Sequence, residues 1–148
     1  MQRVLYSSTQ TKKFAGIFLK EIFKSGFQKK KALIIALSGD LGAGKTTFAQ
    51  GFLRGAGVKS KITSPTFVLI KNYKLRTTNY KLIYHIDCYR IHSLKELINL
   101  GLKEIFENPQ NIILIEWPEN IKHALPKNII RVKFKYGKKI NEREIKIL

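Results

Sequence analysis

The sequence predicts an α/β fold in three layers, with a mainly parallel central sheet and antiparallel hairpins added to it. Three observations carry this. Residues 32–37 (ALIIAL) and 112–115 (IILI) are uniformly apolar, as strands buried on both faces of a parallel sheet are. A glycine-rich turn, GDLGAGK, follows the first run and leads into a series of helical period. Residues 129–136 and 140–147 read as two strands joined across Gly137-Lys138-Lys139, an antiparallel hairpin.

The elements follow in order. Met1-Gln2-Arg3-Val4 is strand-like and has no secretory h-region. Ser8 or Thr9 is positioned to cap a helix running to about Phe23, with Phe14, Phe18 and Ile22 at fourfold spacing and Gly26 ending it. Lys29-Lys30-Lys31 reads as a solvated turn before a strand over 32–38. A helix starting near Lys45 carries Phe48, Phe52 and Leu53 inward and stops near Gly57. Residues 58–65 form a loop, and 67–73 with 81–86 form a hairpin tipped by Arg76-Thr77-Thr78-Asn79. Ser93-Leu94-Lys95-Glu96 has capping-box spacing for a helix that stops at Gly101. Residues 111–116 are a second buried strand, and Pro118 opens a short helix.

At 148 residues, 44% of them hydrophobic, the chain is expected to fold as one domain over 1–148 around one continuous core. No apolar run reaches the roughly 18 residues of a membrane span, and the lone Cys88 cannot make an internal disulfide. The expectation is a cytoplasmic protein with no membrane partner. The 28 Lys+Arg against 10 Asp+Glu give a net charge of +18, which attracts polyanions in a salt-dependent way. A lysine-rich composition accounts for much of this, since the cations are spread along the chain. Residues 121–148 are the most basic stretch, opposed there only by Glu142 and Glu144. Acids are scarce, and the only aspartates are Asp40 and Asp87.

Gly39, Asp40, Leu41, Gly42, Ala43, Gly44, Lys45 and Thr46 fit G-x-x-x-x-G-K-[ST] in full, between a buried strand and an amphipathic helix. The glycines let backbone N–H groups turn inward around a phosphate, and the helix N-terminus adds partial positive charge. Lys45 is placed to reach the β- and γ-phosphates, and the Thr46 hydroxyl to ligate Mg²⁺. The fold class sharpens accordingly to P-loop NTPase-like, with ATP or another nucleoside triphosphate and Mg²⁺ as the expected cofactors.

A second Mg²⁺-side acid is expected at the end of a neighbouring strand, and two compete. Asp87 ends LIYHID and Glu116 ends NIILIE. The second run is the more uniformly apolar, which favours Glu116 for the metal. Asp87 is then available to orient or deprotonate the attacking water, or to bind Mg²⁺ through water. Ser64, Pro65 and Thr66 lie in the loop after the second helix, where a switch sensing the γ-phosphate would sit; an ordinary turn is the competing reading. Trp117, a lone tryptophan, reads as core. His85, His92 and His123 lack metal-ligand spacing and read as ordinary, and Cys88 reads as core rather than nucleophile.

Taken together, GDLGAGKTTF, SPTF, HIDCYR and IEWPE, in this order and spacing, resemble the TsaE (YjeE) family of bacterial P-loop ATPases, from Thr11 to Arg143. The resemblance implies an ATPase needed for the threonylcarbamoyladenosine modification of tRNA. It implies action with the paired proteins TsaD and TsaB, and contact with tRNA indirectly, through that complex. It also implies that Thr46 and Glu116 bind Mg²⁺ and that Asp87, within HIDCYR beside His85 and Arg90, is the acid close to the γ-phosphate. The resemblance further implies that Thr11 and Arg143 line the nucleotide, with Thr47 beside Thr46 also expected to bind ATP. One departure is visible: the family usually has leucine where Cys88 stands, a small apolar exchange that concerns local packing.

A small P-loop nucleotide or small-molecule kinase is the nearest alternative, but the six arginines are not clustered and no lid-sized insertion exists. A GTPase would need an N-K-x-D guanine reader, which is absent. A nucleic-acid-binding module without catalysis leaves the intact phosphate motif unexplained. The charge suggests that a basic surface including Lys133, Lys135, Lys138 and Lys139 helps approach to the tRNA-bearing complex. Nothing obvious in the sequence supplies an arginine finger, so slow turnover alone and faster turnover with partners is expected; Arg90 is the one basic residue near Asp87 that could act in cis.

Overall fold

A computed structural model describes residues 1–26, 30–62, 70–76 and 79–148. Strand β1 (Gln2–Leu5) leads into α1 (Ser8–Lys24), then β2 (Leu33–Gly39) and α2 (Lys45–Gly55). The hairpin β3 (Ile70–Lys74) and β4 (Leu82–Asp87) follows, then α3 (Leu94–Asn99) and α4 (Leu102–Glu107). The chain closes with β5 (Asn111–Glu116), a 3₁₀ turn (Pro118–Ile121), β6 (Ile130–Tyr136) and β7 (Arg143–Ile147). One seven-stranded sheet has the order β1-β7-β6-β2-β5-β4-β3. Its four inner strands β6, β2, β5 and β4 are parallel, and the outer pairings are antiparallel. The three-layer, mainly parallel P-loop arrangement is therefore present.

The layers follow from the burial pattern. Strands β2 and β5 alternate their apolar side chains between two cores. Leu33, Ile35 and Leu37 of β2 join Ile112 and Leu114 of β5 against α1 and α2, around Phe48 and Phe52. Ile34, Ile113 and Ile115 face Leu97 of α3 and Leu102 and Phe106 of α4. All six residues of β5 are buried, as a run without interior charge requires.

Local differences from the expected elements have physical causes. The α1 cap is Ser7, whose side chain accepts from Gln10 N at 3.1 Å, while Gln10 Oε1 accepts from Tyr6 N at 2.8 Å. Ser7 is thus a near-reciprocal cap, one residue before the expected Ser8. Gly101 ends α3 as expected, but at φ 80° it also begins α4, a helix that the stop signal concealed. Ser93 caps α3 through Lys95 N at 3.2 Å. Strand β7 begins at Arg143, because residues 137–142 are spent on the turn, closed by Gly137 N donating to Glu142 O at 2.9 Å. Among the described residues no helix is long and apolar enough to cross a membrane. The expected strand residues 67–69, the loop Ser64-Pro65-Thr66 and the hairpin tip Thr77-Thr78 lie outside the described residues.

Candidate functional site

The site forms at the C-terminal edge of the parallel strands, where β2 runs into the glycine loop. Gly39 has φ 141°, and a Cβ there would lie 2.3 Å from the Phe134 carbonyl oxygen. Gly44, at φ 105°, is the α2 N-cap. Those two backbone conformations, closed to most side chains, aim the turn at the helix N-terminus. Tyr136, on β6, donates its hydroxyl to the Leu41 carbonyl and pins the loop from outside. Asp40 and Leu41 are exposed at the loop's tip, and Ala43 is buried beneath it.

Lys45 is the first residue of α2, and only 4% of its surface is exposed. Its Nζ donates to the carbonyls of Gly39 at 2.6 Å and Asp40 at 2.7 Å. The ammonium also sits 4.0 Å from the centroid of the Trp117 ring. Burial lowers the lysine pKa from its ordinary value, and the charges of Glu116, Glu119, Asp40 and Asp87 act in the opposite direction. Trp117 is half-buried rather than enclosed in the core, and is the one non-glycine among the described residues with positive φ (58°). That conformation turns the ring off the end of β5 toward Lys45, and Tyr89 packs on it at 4.9 Å between centroids.

Beside the lysine, Thr46 Oγ1 donates to Glu116 Oε2 at 2.8 Å. Glu116 is 1% exposed, and its Oε1 lies 2.8 Å from Nε2 of fully buried His85. A carboxylate can only accept, so the histidine donates through Nε2, and its Nδ1 has no hydrogen-bond partner among the described residues. Parallel pairing of β4 with β5 sets Asp87 opposite Glu116. Asp87 Oδ1 accepts from Tyr89 N at 2.9 Å. Among the described residues no group of three or more His, Cys, Asp or Glu could hold a metal ion. The donor set here, one hydroxyl and one or two carboxylates, is instead what Mg²⁺ takes when phosphates and water complete its shell.

A cleft of about 360 Å³ opens beside the loop, lined by Tyr6, Ser7, Ser8, Thr11, Gly42, Gly44, Thr47, Asn141 and Arg143. Thr11, Thr47 and Arg143 thus meet there, although they come from α1, α2 and β7. The Arg143 guanidinium is occupied with its own turn, donating to Ile140 O at 2.7 Å and Glu142 O at 2.9 Å and lying 4.6 Å from the Tyr136 ring centroid. Arg90 is exposed just past β4. Tyr6, Asn141 and Tyr136 were not expected from the sequence; only their place beside the first cap and in the last turn could have indicated them. His85 had read as an ordinary histidine, and its bond to Glu116 depends on strand register that single-sequence spacing does not report. Cys88 is buried, and burial with the nearby charges of Asp87 and Glu119 pushes its thiol up to about 12, consistent with a core residue.

Comparison with known proteins bears directly on this geometry. Residues 5–145 match the family model described as "Threonylcarbamoyl adenosine biosynthesis protein TsaE". A relative from Haemophilus influenzae, named tRNA threonylcarbamoyladenosine biosynthesis protein TsaE, is 41% identical over 84% of this chain and 73% of its own length. Proteins of the same name from Rickettsia bellii and Bacillus subtilis are 41% and 40% identical, over 90% and 76% of this chain and 85% and 66% of their own lengths. The crystal structure of Bacillus subtilis YdiB superposes with a TM-score of 0.73 at 33% identity, covering 98% of this chain and 82% of that one. With the phosphate loop, the Thr46–Glu116 contact and a family match spanning nearly the whole sequence in agreement, the chain belongs to the TsaE family.

Proposed function

We propose that the chain is a Mg²⁺-dependent ATPase serving the threonylcarbamoyladenosine modification of the adenosine beside the tRNA anticodon, in the cytoplasm, together with TsaD and TsaB. The observation that carries the reading is the 2.8 Å bond from Thr46, at the start of the helix behind the glycine loop, to Glu116 at the end of the adjacent central strand. The two side chains that a phosphate-bound Mg²⁺ would need converge there without rearrangement.

The chain's own residues divide the work. Backbone N–H groups of residues 42–46 cradle the phosphates, aided by the α2 N-terminus. Lys45 exchanges two neutral carbonyl acceptors for charged β- and γ-phosphate oxygens, a stronger pairing. Trp117 keeps the ammonium's other side dry. Thr46 and Glu116 would hold Mg²⁺, which would supply charge neutralisation to the phosphates. Asp87, opposite Glu116 in the sheet, orients the attacking water and takes its proton as inorganic phosphate leaves ADP. Thr11, Thr47 and Arg143 line the nucleotide in the adjoining cleft. Arg143 of the cleft is held by its own turn, and an arginine finger is worth roughly 10³ to 10⁵ in rate where one is supplied. Turnover is therefore slow alone and rises when partners close the site.

The test is ATP hydrolysis by the purified chain, alone and with TsaD and TsaB, beside Lys45→Ala. Partner-stimulated turnover that Lys45→Ala abolishes is the expected result. Tight ATP binding without hydrolysis in either setting would reduce the protein to a nucleotide sensor. Phosphate transfer to an added small molecule would make it a kinase.

A further inference from the structure

The helical layer of α3 and α4 covers the strands β2, β5 and β4 and stops there. Beyond it, β6, β7 and β1 continue the same face of the sheet. Register fixes what they show: Arg131 and Lys133 lie beside Ala36 and Ser38 of β2, Lys133 beside Lys146, and Lys146 beside Gln2. Arg131, Lys133, Lys135 and Lys146 are all exposed, whereas Val132, Phe134 and Ile145 on the opposite face are buried against the α1–α2 side. None of the four cations takes part in an ion pair among the described residues. Glu144, half-buried opposite Lys135, is the only acid among the residues of β1, β6 and β7 on this face.

We propose that this open sheet face binds the phosphate backbone of RNA directly. Three features of the face favour that occupant. Cations repeat every second residue along β6, about 6.7 Å apart, and continue onto β7, so they form a tract rather than scattered charges. Lys133 and Lys146 stand directly opposite each other, an arrangement that costs stability unless an anion sits between them. A protein partner would need apolar or aromatic anchors at the centre of the patch. The centre here is lysine and arginine, with Val4 and Leu148 only at the rim. With no aromatic side chain of β1, β6 or β7 on this face among the described residues to stack bases, it reads backbone rather than sequence. The inference goes beyond ATP hydrolysis and stands or falls independently of it.

The experiment is fluorescence anisotropy of a labelled tRNA transcript titrated with the full chain between about 50 and 200 mM salt. On the wing formed by β6, β7 and β1, the variant Lys133→Glu/Lys135→Glu/Lys146→Glu should bind roughly ten- to a hundredfold more weakly at the low-salt end. Its slope of log affinity on log salt should flatten by about two to three. The charge-matched variant Lys13→Glu/Lys20→Glu/Lys103→Glu, on α1 and α4, should shift affinity by less than about threefold. The glutamine version of the wing triple serves if the glutamates disturb folding, and should retain the flattened slope. Equal losses in the wing and control variants would mean net charge alone, and overturn the proposal. So would wing variants that bind tRNA as the wild type does, or that lose TsaD–TsaB association while keeping tRNA, the latter marking an acidic protein surface as the occupant.

Discussion

His85 carries a burden that its type alone does not announce. It is wholly buried, and among the described residues its Nε2 is one of two side-chain donors to Glu116 while its Nδ1 has no partner. A polar nitrogen left without a partner in a core is a cost that a mere filler residue would not bring. Its return is a carboxylate whose Oε1 is fixed, so that Oε2 stays turned to Thr46. Replacing His85 with Leu keeps the volume apolar but leaves Oε1 buried without a donor, a loss of about 1–3 kcal/mol. The expected result is a lower urea midpoint for His85→Leu, together with a weaker response of nucleotide affinity to added Mg²⁺. The second readout separates the roles: a melt change with unaltered Mg²⁺ response would make His85 structural only. His85→Gln, whose amide can donate to the same oxygen, should recover part of both.

At the scale of elements, the phosphate loop depends on how closely α1 lies against α2. A Cβ on Gly51 would fall 2.4 Å from Lys12 Cα, and one on Gly55 would fall 2.8 Å from Gly16 Cα. The two helices therefore touch backbone to backbone, and Thr11, one residue before that contact, is brought to the nucleotide cleft by it. Gly51→Ala gains about 1 kcal/mol in helix propensity, yet it forces the helices apart, with overpacking costs of about 1–3 kcal/mol or more. A backbone atom cannot step aside, so the steric cost dominates. At about 2–4 °C per kcal/mol, the melting temperature should fall by several degrees, and nucleotide affinity should fall with it. A variant that melts higher than the parent would show that the helices are free to separate. The same contact shows what a sequence carries and what it does not. Strand β5 was legible to its end residues, because six consecutive buried positions without interior charge leave one interpretation. The glycine loop was equally plain, since its spacing is dictated by the phosphate. Helix α4 was hidden because Gly101, read as a stop, is also the left-handed start of the next helix. The His85–Glu116 hydrogen bond and the Lys45–Trp117 cation–π contact were illegible for another reason: the first depends on parallel register between β4 and β5 and the second on the backbone turn at Trp117.

Over the whole molecule, two cores share one sheet, and the chain ends are stitched together beside it. Met1 donates its terminal ammonium to Ile147 O at 3.0 Å, and Ile147 N returns a bond to Met1 O at 2.7 Å. Cys88, fully buried in the core beneath α3 and α4, is the one thiol that can report when that core opens. With its pKa pushed up to about 12, chiefly by burial, the folded protein holds only about one thiolate in ten thousand at pH 8. The unfolded chain, near the ordinary cysteine value, holds a substantial fraction. Because the folded pKa is the higher, the thiol's contribution to stability is complete below about pH 9 and is lost as pH rises toward about 12. Iodoacetamide at pH 8 should therefore label Cys88 negligibly in native buffer, and at a rate that climbs with urea in step with the loss of helical circular dichroism. Labelling within minutes while the dichroism is unchanged would locate a local opening between β4 and α3. That opening would also expose the carbonyls of Cys88 and Tyr89 held by Asn120 at 2.8 and 3.4 Å, and with them the backbone that carries Asp87. Slow labelling that tracks unfolding would instead mean that Asp87 rests on a part of the fold as stable as the sheet itself.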